Sequence, residues 1–157
     1  MPMGYNGAGN LVVSSYGSGT VCVVVPTADG SGTYDISGCV GGETATIGGT
    51  VDGIGYVALG SPLFSGQSML VAGYSANAVS AYTIDANGLP DPSSQRDFLT
   101  DAQIYGISVD PLTGDMLMVD WSHQTLLEVD GFAPEPATFI LAGAALAILA
   151  KRKVYPA

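Results

Sequence analysis

The sequence predicts an all-β body followed by one C-terminal apolar helix. Three observations predict it. Residues 1–133 are dominated by Gly, Ser, Thr, Val and Tyr, a mixture that favours strands and tight turns over helices. A pattern of apolar strand, aromatic residue, polar turn and second apolar strand occurs three times along that body. Finally, the apolar run Phe139 to Ala150 is closed by Lys151-Arg152-Lys153, which holds three of the four basic residues in the chain.

The repeated pattern orders the body. Aligned on the aromatic, the segments are Val12 to Val21, Leu70 to Val79 and Leu117 to Leu126, with Tyr16, Tyr74 and Trp121 at the shared position. Their spacings are 58 and 47 residues. Second strands follow at Val21 to Val25, Val79 to Ile84 and Leu126 to Val129, so hairpins are expected to turn near Ser18, Asn77 and Gln124. A further apolar segment precedes the second and third hairpins, at Ile54 to Leu59 and Ile104 to Val109. Asp85-Ala86-Asn87-Gly88 and Asp110 to Asp115 supply turn chemistry between them. Periods near 40–50 residues built of paired strands are the signature of propeller blades. The expected fold is therefore all-β, with partial β-propeller-like repeats of about three blades and one C-terminal transmembrane helix. A β-sandwich in three parts, or an irregular β-domain, is the alternative.

The run from Ile107 to Trp121 reads Ile-Ser-Val-Asp-Pro-Leu-Thr-Gly-Asp-Met-Leu-Met-Val-Asp-Trp. It resembles a unit of NHL-type propellers, in which an apolar strand, an Asp-Pro turn, a Gly and a second apolar strand ending in Asp follow in that order. The resemblance covers Ile104 to Asp130 well and the rest of the body loosely. About three blades are fewer than the roughly four to eight that close a ring, and open blade edges are exposed to wrong pairing. The expectation is that residues 1–133 are the C-terminal part of a longer, extracytoplasmic propeller.

Charge narrows the function. Residues 1–133 carry thirteen acidic groups and one basic group, Arg96, within a formal net charge of −10. Such a body repels polyanions, which argues against nucleic acid as a partner. Cys22 and Cys39 lack metal-ligand spacing, and a single His leaves too few partners for a zinc site. In an oxidising compartment they are a candidate disulfide pair; with Cys22 in a strand core the reading is an inert buried thiol. His123 stands in the third hairpin turn without a nucleophile elbow of the Gly-x-Ser-x-Gly kind. Asp110, Asp115 and Asp120 are spaced by five, and Asp85-Ala86-Asn87-Gly88 alternates oxygens as a calcium loop does, without its closing Glu. Turn chemistry is the simpler reading of all of these, so no metal, no other cofactor and no catalytic residue is expected. Tyr16, Tyr74 and Trp121 fit either a sugar-stacking platform or repeated packing residues, and their repetition favours packing.

The tail reads as a membrane stop. About 20 apolar residues normally span a bilayer, and Phe139 to Ala150 is shorter. Its strong apolar side chains, Phe139, Ile140, Leu141, Leu146, Ile148 and Leu149, favour insertion by roughly 3 kcal/mol in total. Lys151, Arg152 and Lys153 would stay on the cytoplasmic side and lengthen the span by snorkelling. The order Pro134-Glu135-Pro136, Ala137-Thr138-Phe139, apolar helix and basic end resembles the PEP-CTERM sorting signal of Gram-negative bacteria. Residues 134–157 would form that signal, with its helix at 137–150 and its basic end at 151–153. The resemblance implies export, a transient inner-membrane anchor, and an exosortase-type processing enzyme that reads Pro134, Glu135 and Pro136. Met1 to Asn10 has neither a cationic n-region nor a long apolar h-region. An export tail without an export leader predicts a piece of a longer chain, or a start at the wrong Met. The functional expectation is an exported, surface-directed, non-enzymatic protein, binding or structural in an exopolysaccharide or cell-surface context. The alternative is a metal-dependent, lactonase-like propeller hydrolase.

Overall fold

The structure is a computed structural model, and it describes residues 2–132. The expected sorting motif at 134–136, the helix at 137–150 with its anchor residues, and the basic end at 151–153 lie outside the described residues. Among the described residues no helix is long and apolar enough to cross a membrane.

The fold is all-β and consists of three antiparallel sheets. The first contains β1 (Met3–Tyr5), β2 (Leu11–Ser14), β3 (Thr20–Ala28) and β4 (Tyr34–Thr46). The second contains β5 (Gly53–Val57), β6 (Ser68–Gly73), β7 (Ala78–Thr83) and β8 (Arg96–Thr100). In the third, β9 (Ile104–Val109), β10 (Met116–Asp120) and β11 (Thr125–Val129) pair in order. Each sheet is a meander in which sequence neighbours are spatial neighbours. A 3-10 turn, Pro92–Ser94, links β7 to β8 and is capped by the Asp91 carboxylate, which accepts from Ser93 N at 2.9 Å. Among the described residues the three sheets do not close a ring.

The repeat is present at the level of register. Across the first hairpin Val12 stands opposite Val23 and Ser14 opposite Val21. The corresponding pairs of the second hairpin are Leu70 with Ala81 and Ala72 with Val79. Those of the third are Leu117 with Glu128 and Val119 with Leu126. Every one of these residues sits at the same distance in sequence from its aligned aromatic. Each hairpin turns through a left-handed residue three places after that aromatic: Gly19 (φ 60°), Asn77 (φ 49°) and Gln124 (φ 53°). Gly and Asn adopt this conformation readily. At Gly19 a second restriction applies, because a Cβ would lie 2.5 Å from the Gly48 carbonyl.

Strand alternation sends successive side chains to opposite faces, and here both faces of the second sheet are covered. Met69 and Val71 join Val12, Val21, Val23 and Ile54 in one core layer between the first and second sheets. Leu70, Ala72, Val79 and Ala81 join Ile104, Met116 and Met118 in the other, between the second and third sheets. Burial on both faces is why Met69 to Ala72 is a continuous apolar run. Each fully buried side chain of this size contributes ~1.5–3 kcal/mol. Strands β1, β5 and β9 lie side by side where the sheets converge, and glycine permits the close approach. A Cβ on Gly55 would meet Ile107 Cγ2 at 2.5 Å.

Three strands had no counterpart in the sequence reading: β1, β4 and β8. β1 is three residues long, β8 opens on Arg96-Asp97, and β4 is interrupted by Gly38, Gly41 and Gly42. All three are outer strands of their sheets, where apolar patterning is weakest.

Candidate functional site

The hairpin turns place Tyr16, Tyr74 and Trp121 at one end of the sheets, beside the start of β9. Tyr105 stands there and links them. Its ring centroid lies 5.6 Å from Tyr74, edge to face, and 5.5 Å from Trp121. Tyr16 is 51% and Trp121 62% exposed. Of the repeated aromatics expected as packing residues, Tyr74 is half-buried and packs across to Tyr105 of the third sheet, while Tyr16 and Trp121 are mostly exposed.

A cavity of about 660 Å³ opens beside Tyr16 and Tyr105, where the strands converge. Its lining comes from all three sheets: Met3 of the first, Asp52 and Ile54 from the segment at β5, and Tyr105 and Ile107 of β9, with Tyr16 at the rim. Gly106 forms part of the wall, and a Cβ placed there would meet nothing within 4 Å.

Asp52 is the one carboxylate in this lining. Its backbone N–H donates to Ala72 O at 2.9 Å. Its Oδ2 is enclosed and has no hydrogen-bond partner. Burial pushes the carboxyl above the ordinary carboxylate range, and the Tyr74 backbone N–H draws it partly back. The Tyr105 hydroxyl is pushed up as well, first by desolvation and then by the neighbouring Tyr74, Asp52 and Tyr16 groups. The only cation of the described body, Arg96, lies 4.5 Å over the Phe64 ring and lines no part of this cavity. Neither Asp52 nor Tyr105 figured in the sequence reading. Each is a lone residue in its strand region, and only the convergence of three sheets brings them together.

The other candidate residues lie elsewhere. Asp120 Oδ1 accepts from Ser122 N at 2.9 Å and from the Ser122 hydroxyl at 2.7 Å. His123 Nδ1 lies 2.7 Å from Asp120 Oδ2 and 3.1 Å from the Ser122 hydroxyl. A catalytic triad needs the acid on one ring nitrogen and the nucleophile on the other. Here both converge on Nδ1, and the hydroxyl is directed at the acid, so the arrangement is a turn clasp. Asp110 accepts from Leu112 N at 2.7 Å, and Asp85 from Asn87 N at 2.9 Å and Leu89 N at 2.8 Å. Asp115 accepts from Gly131 N and Phe132 N. Carboxylate oxygens of Asp115, Glu128 and Asp130 come within 4.8 Å of one another, at the opposite end of β10 from Trp121. Cys22 and Cys39 form a disulfide with a Cα–Cα distance of 5.6 Å. It ties β3 to β4 where their register shifts between Cys22 and Val24.

The fold defines an all-β protein of three stacked antiparallel sheets with an aromatic-rimmed cavity at their convergence. No protein-family model matches the chain, and no curated protein matches it in sequence.

Proposed function

We propose that the chain is an exported, non-enzymatic binding protein of the cell surface, whose three sheets are successive blades of a β-propeller. The observation that carries the binding role is the cavity that all three sheets line, with Tyr16 and Tyr105 in its lining and Tyr74 and Trp121 packed against Tyr105 beside it. Exposed aromatic rings with a carboxylate beneath them suit a sugar, whose C–H faces stack on the rings and whose polar groups meet the acid. A surface polysaccharide is the partner this reading assigns.

The propeller reading rests on the shared register of the three hairpins and on the adjacency of β1, β5 and β9, which it treats as innermost strands. It also accounts for an exposed face. The first sheet turns Val12, Val21 and Val23 onto the second, and the second turns Leu70, Ala72, Val79 and Ala81 onto the third. At the same positions the third sheet carries Leu117, Val119, Leu126 and Glu128, and there Val119 is 48% and Leu126 64% exposed. Further blades would cover that face.

Export is supported by the disulfide, which belongs to oxidising compartments, and by the acidic body. Residues 134–157 are assigned as the sorting signal, with Pro134, Glu135 and Pro136 read by an exosortase-type enzyme, Phe139 to Leu149 anchoring in the inner membrane and Lys151 to Lys153 left inside. The lactonase-like alternative needs oxygen ligands from several blades at the channel, and Asp52 is the one carboxylate in the cavity lining.

Two measurements test the reading. The full chain is incubated with a panel of insoluble polysaccharides and sedimented. Retention on at least one of them, lost on Trp121→Ala, is expected; no retention on any overturns the binding role. Separately, residues 133–157 are fused behind an exported reporter. Membrane retention is expected, and a fully soluble periplasmic reporter overturns the sorting assignment.

A further inference from the structure

The first two sheets have four strands and the third has three. In each of the first two, the strand that follows the hairpin in sequence pairs with the hairpin's second strand and completes the sheet: β4 on β3 and β8 on β7. These pairings share a register. Thr46 stands opposite Thr20 and Ala45 opposite Val21; Thr100 stands opposite Ala78 and Leu99 opposite Val79. Thr20, Ala78 and Thr125 hold one position after the aligned aromatic, and Val21, Val79 and Leu126 hold the next. Among the described residues, β11 has no neighbour on its outer side.

That edge has a defined chemistry. Ser15 N donates to Thr20 O at 2.8 Å, so Thr20 bonds back across its own hairpin, and alternation turns the N–H and C=O of Val21 outward to β4. The third hairpin has the same register, with Val119 opposite Leu126 where Ser14 is opposite Val21. The N–H and C=O of Leu126 therefore point to the open edge. Strands β4 and β8 meet this position with one quartet, an acid, any residue, an apolar residue and Thr: Glu43-Thr44-Ala45-Thr46 and Asp97-Phe98-Leu99-Thr100. The quartet that follows β11 is Glu135-Pro136-Ala137-Thr138. Asp110 to Thr113 has the same letters, but it precedes a hairpin and forms a turn. The chain also heads toward the edge. Gly131, at φ 89°, reverses it after β11, and the Phe132 ring packs 5.5 Å from Phe98 of β8, the outer strand of the second sheet.

We infer that Glu135 to Thr138 is the fourth strand of the third sheet, antiparallel to β11, with Ala137 opposite Leu126 and Thr138 opposite Thr125. Leu126 and Ala137 exchange the ladder bonds. Pro136, one residue earlier, then turns its ring nitrogen away from β11, the side of an edge strand on which proline loses no bond. Proline there also bars a further strand from an edge that would otherwise template association. The inference rests on the reading of the sheets as successive blades, and it gives the proposed sorting motif a regulation. Pro134, Glu135 and Pro136 are held at the sheet, and a processing enzyme reaches them once the strand detaches.

The test uses the full chain in detergent micelles. Thr125 and Thr138 would form a non-hydrogen-bonded pair with Cα atoms about 4.5 Å apart, within the range of roughly 4.4–6.8 Å that a disulfide bridges. Thr125→Cys with Thr138→Cys is expected to crosslink under mild oxidation, as read from peptide masses, and Thr125→Cys with Ala142→Cys is not. No bond between positions 125 and 138, or equal yields from the two pairs, overturns the inference. Hydrogen exchange tests it without cysteines. Ala137→Pro removes the N–H that Leu126 C=O accepts and breaks the ladder, so the Leu126 amide is expected to exchange about tenfold faster than in the parent. The Leu127 amide, which faces β10, is expected to be unchanged. A Leu126 amide that exchanges equally fast in both chains overturns the inference. Membrane retention of the reporter fused to residues 133–157, without the crosslink and without protection of Leu126, leaves the sorting assignment standing and overturns the fourth strand alone.

Discussion

Val119 stands opposite Leu126 across the third hairpin, as Ala72 stands opposite Val79 across the second and Ser14 opposite Val21 across the first. The pairing is the same, yet its surroundings differ. Ala72 and Val79 are enclosed by the third sheet, while Val119 and Leu126 face outward. Truncation should expose that difference. Leu70→Ala is expected to lower stability by ~2–5 kcal/mol, the cost of a cavity in a packed layer. Leu126→Ala should stay within ~0.5 kcal/mol. Urea unfolding of both variants decides it, and equal losses would mean that the outer face of the third sheet is covered in solution.

Leu126→Lys carries the same argument further. An exposed apolar sheet face beside the open edge of β11 is a route to association. A charge placed on it should raise the concentration at which the chain stays monomeric, with the unfolding midpoint unchanged. Light scattering against concentration measures this, and an unchanged association threshold would assign self-association to another surface.

The hairpins were legible in the sequence because each combines an apolar run with a turn and an aromatic at fixed spacing. Met69 to Ala72 is readable because both of its faces are buried. β4 was not legible. Its glycines break the alternation, and most of its side chains meet solvent, so no apolar signal marks it. The site was legible only as three isolated aromatics. Repetition suggested packing between sheets, and Tyr74 does pack on Tyr105, but Tyr16 and Trp121 stay mostly exposed. Asp52 and Tyr105 left no local trace. Their meeting depends on Gly55, which lets β5 approach Ile107 of β9, and that is a property of packing between sheets.

The Cys22–Cys39 bond closes a loop with a sequence separation of 17 residues. Chain-entropy arguments give ~3 kcal/mol for a loop of that size. The paired substitution Cys22→Ser with Cys39→Ser is expected to destabilise by about that amount, and reduction of the parent chain to do the same. Since Cys22 packs with Leu11, Val13 and Val24, the loss should fall mainly in the first sheet. Hydrogen exchange at β2 and β3 would show it, and unchanged protection there would argue against the assigned bond.

Asp120 gives the turn of the third hairpin a pH dependence of known sign. The Ser122 hydroxyl first, then His123, hold its carboxyl down at about 2. A carboxyl whose folded value lies below its ordinary value of about 3.9 binds fewer protons folded than unfolded. Its contribution is complete above about pH 4 and is lost as the pH falls toward 2. Asp29 follows the same rule, lowered to about 2 by Thr33 first and then Ser31. The stability gap between the parent and Asp120→Asn should therefore be constant from neutral pH to about 4 and narrow below it. A gap that is unchanged down to pH 2 would show that the clasp contributes nothing through charge.

Asp52 has the opposite sign. Burial raises its carboxyl, so the folded chain resists ionising it. Below the ordinary value of about 3.9 the group is protonated in both states and costs nothing. As the pH rises past that value the unfolded chain ionises first, and stability falls until the folded value is passed. Above the folded value the full cost is present. Asp52→Asn removes it while keeping a carbonyl oxygen to accept from the Tyr74 N–H, and the backbone bond to Ala72 O is untouched. The variant is expected to melt at a higher temperature than the parent at pH 7, with the difference vanishing below about pH 4. A parent more stable than Asp52→Asn at pH 7 would show that the carboxylate already has a compensating partner within the protein.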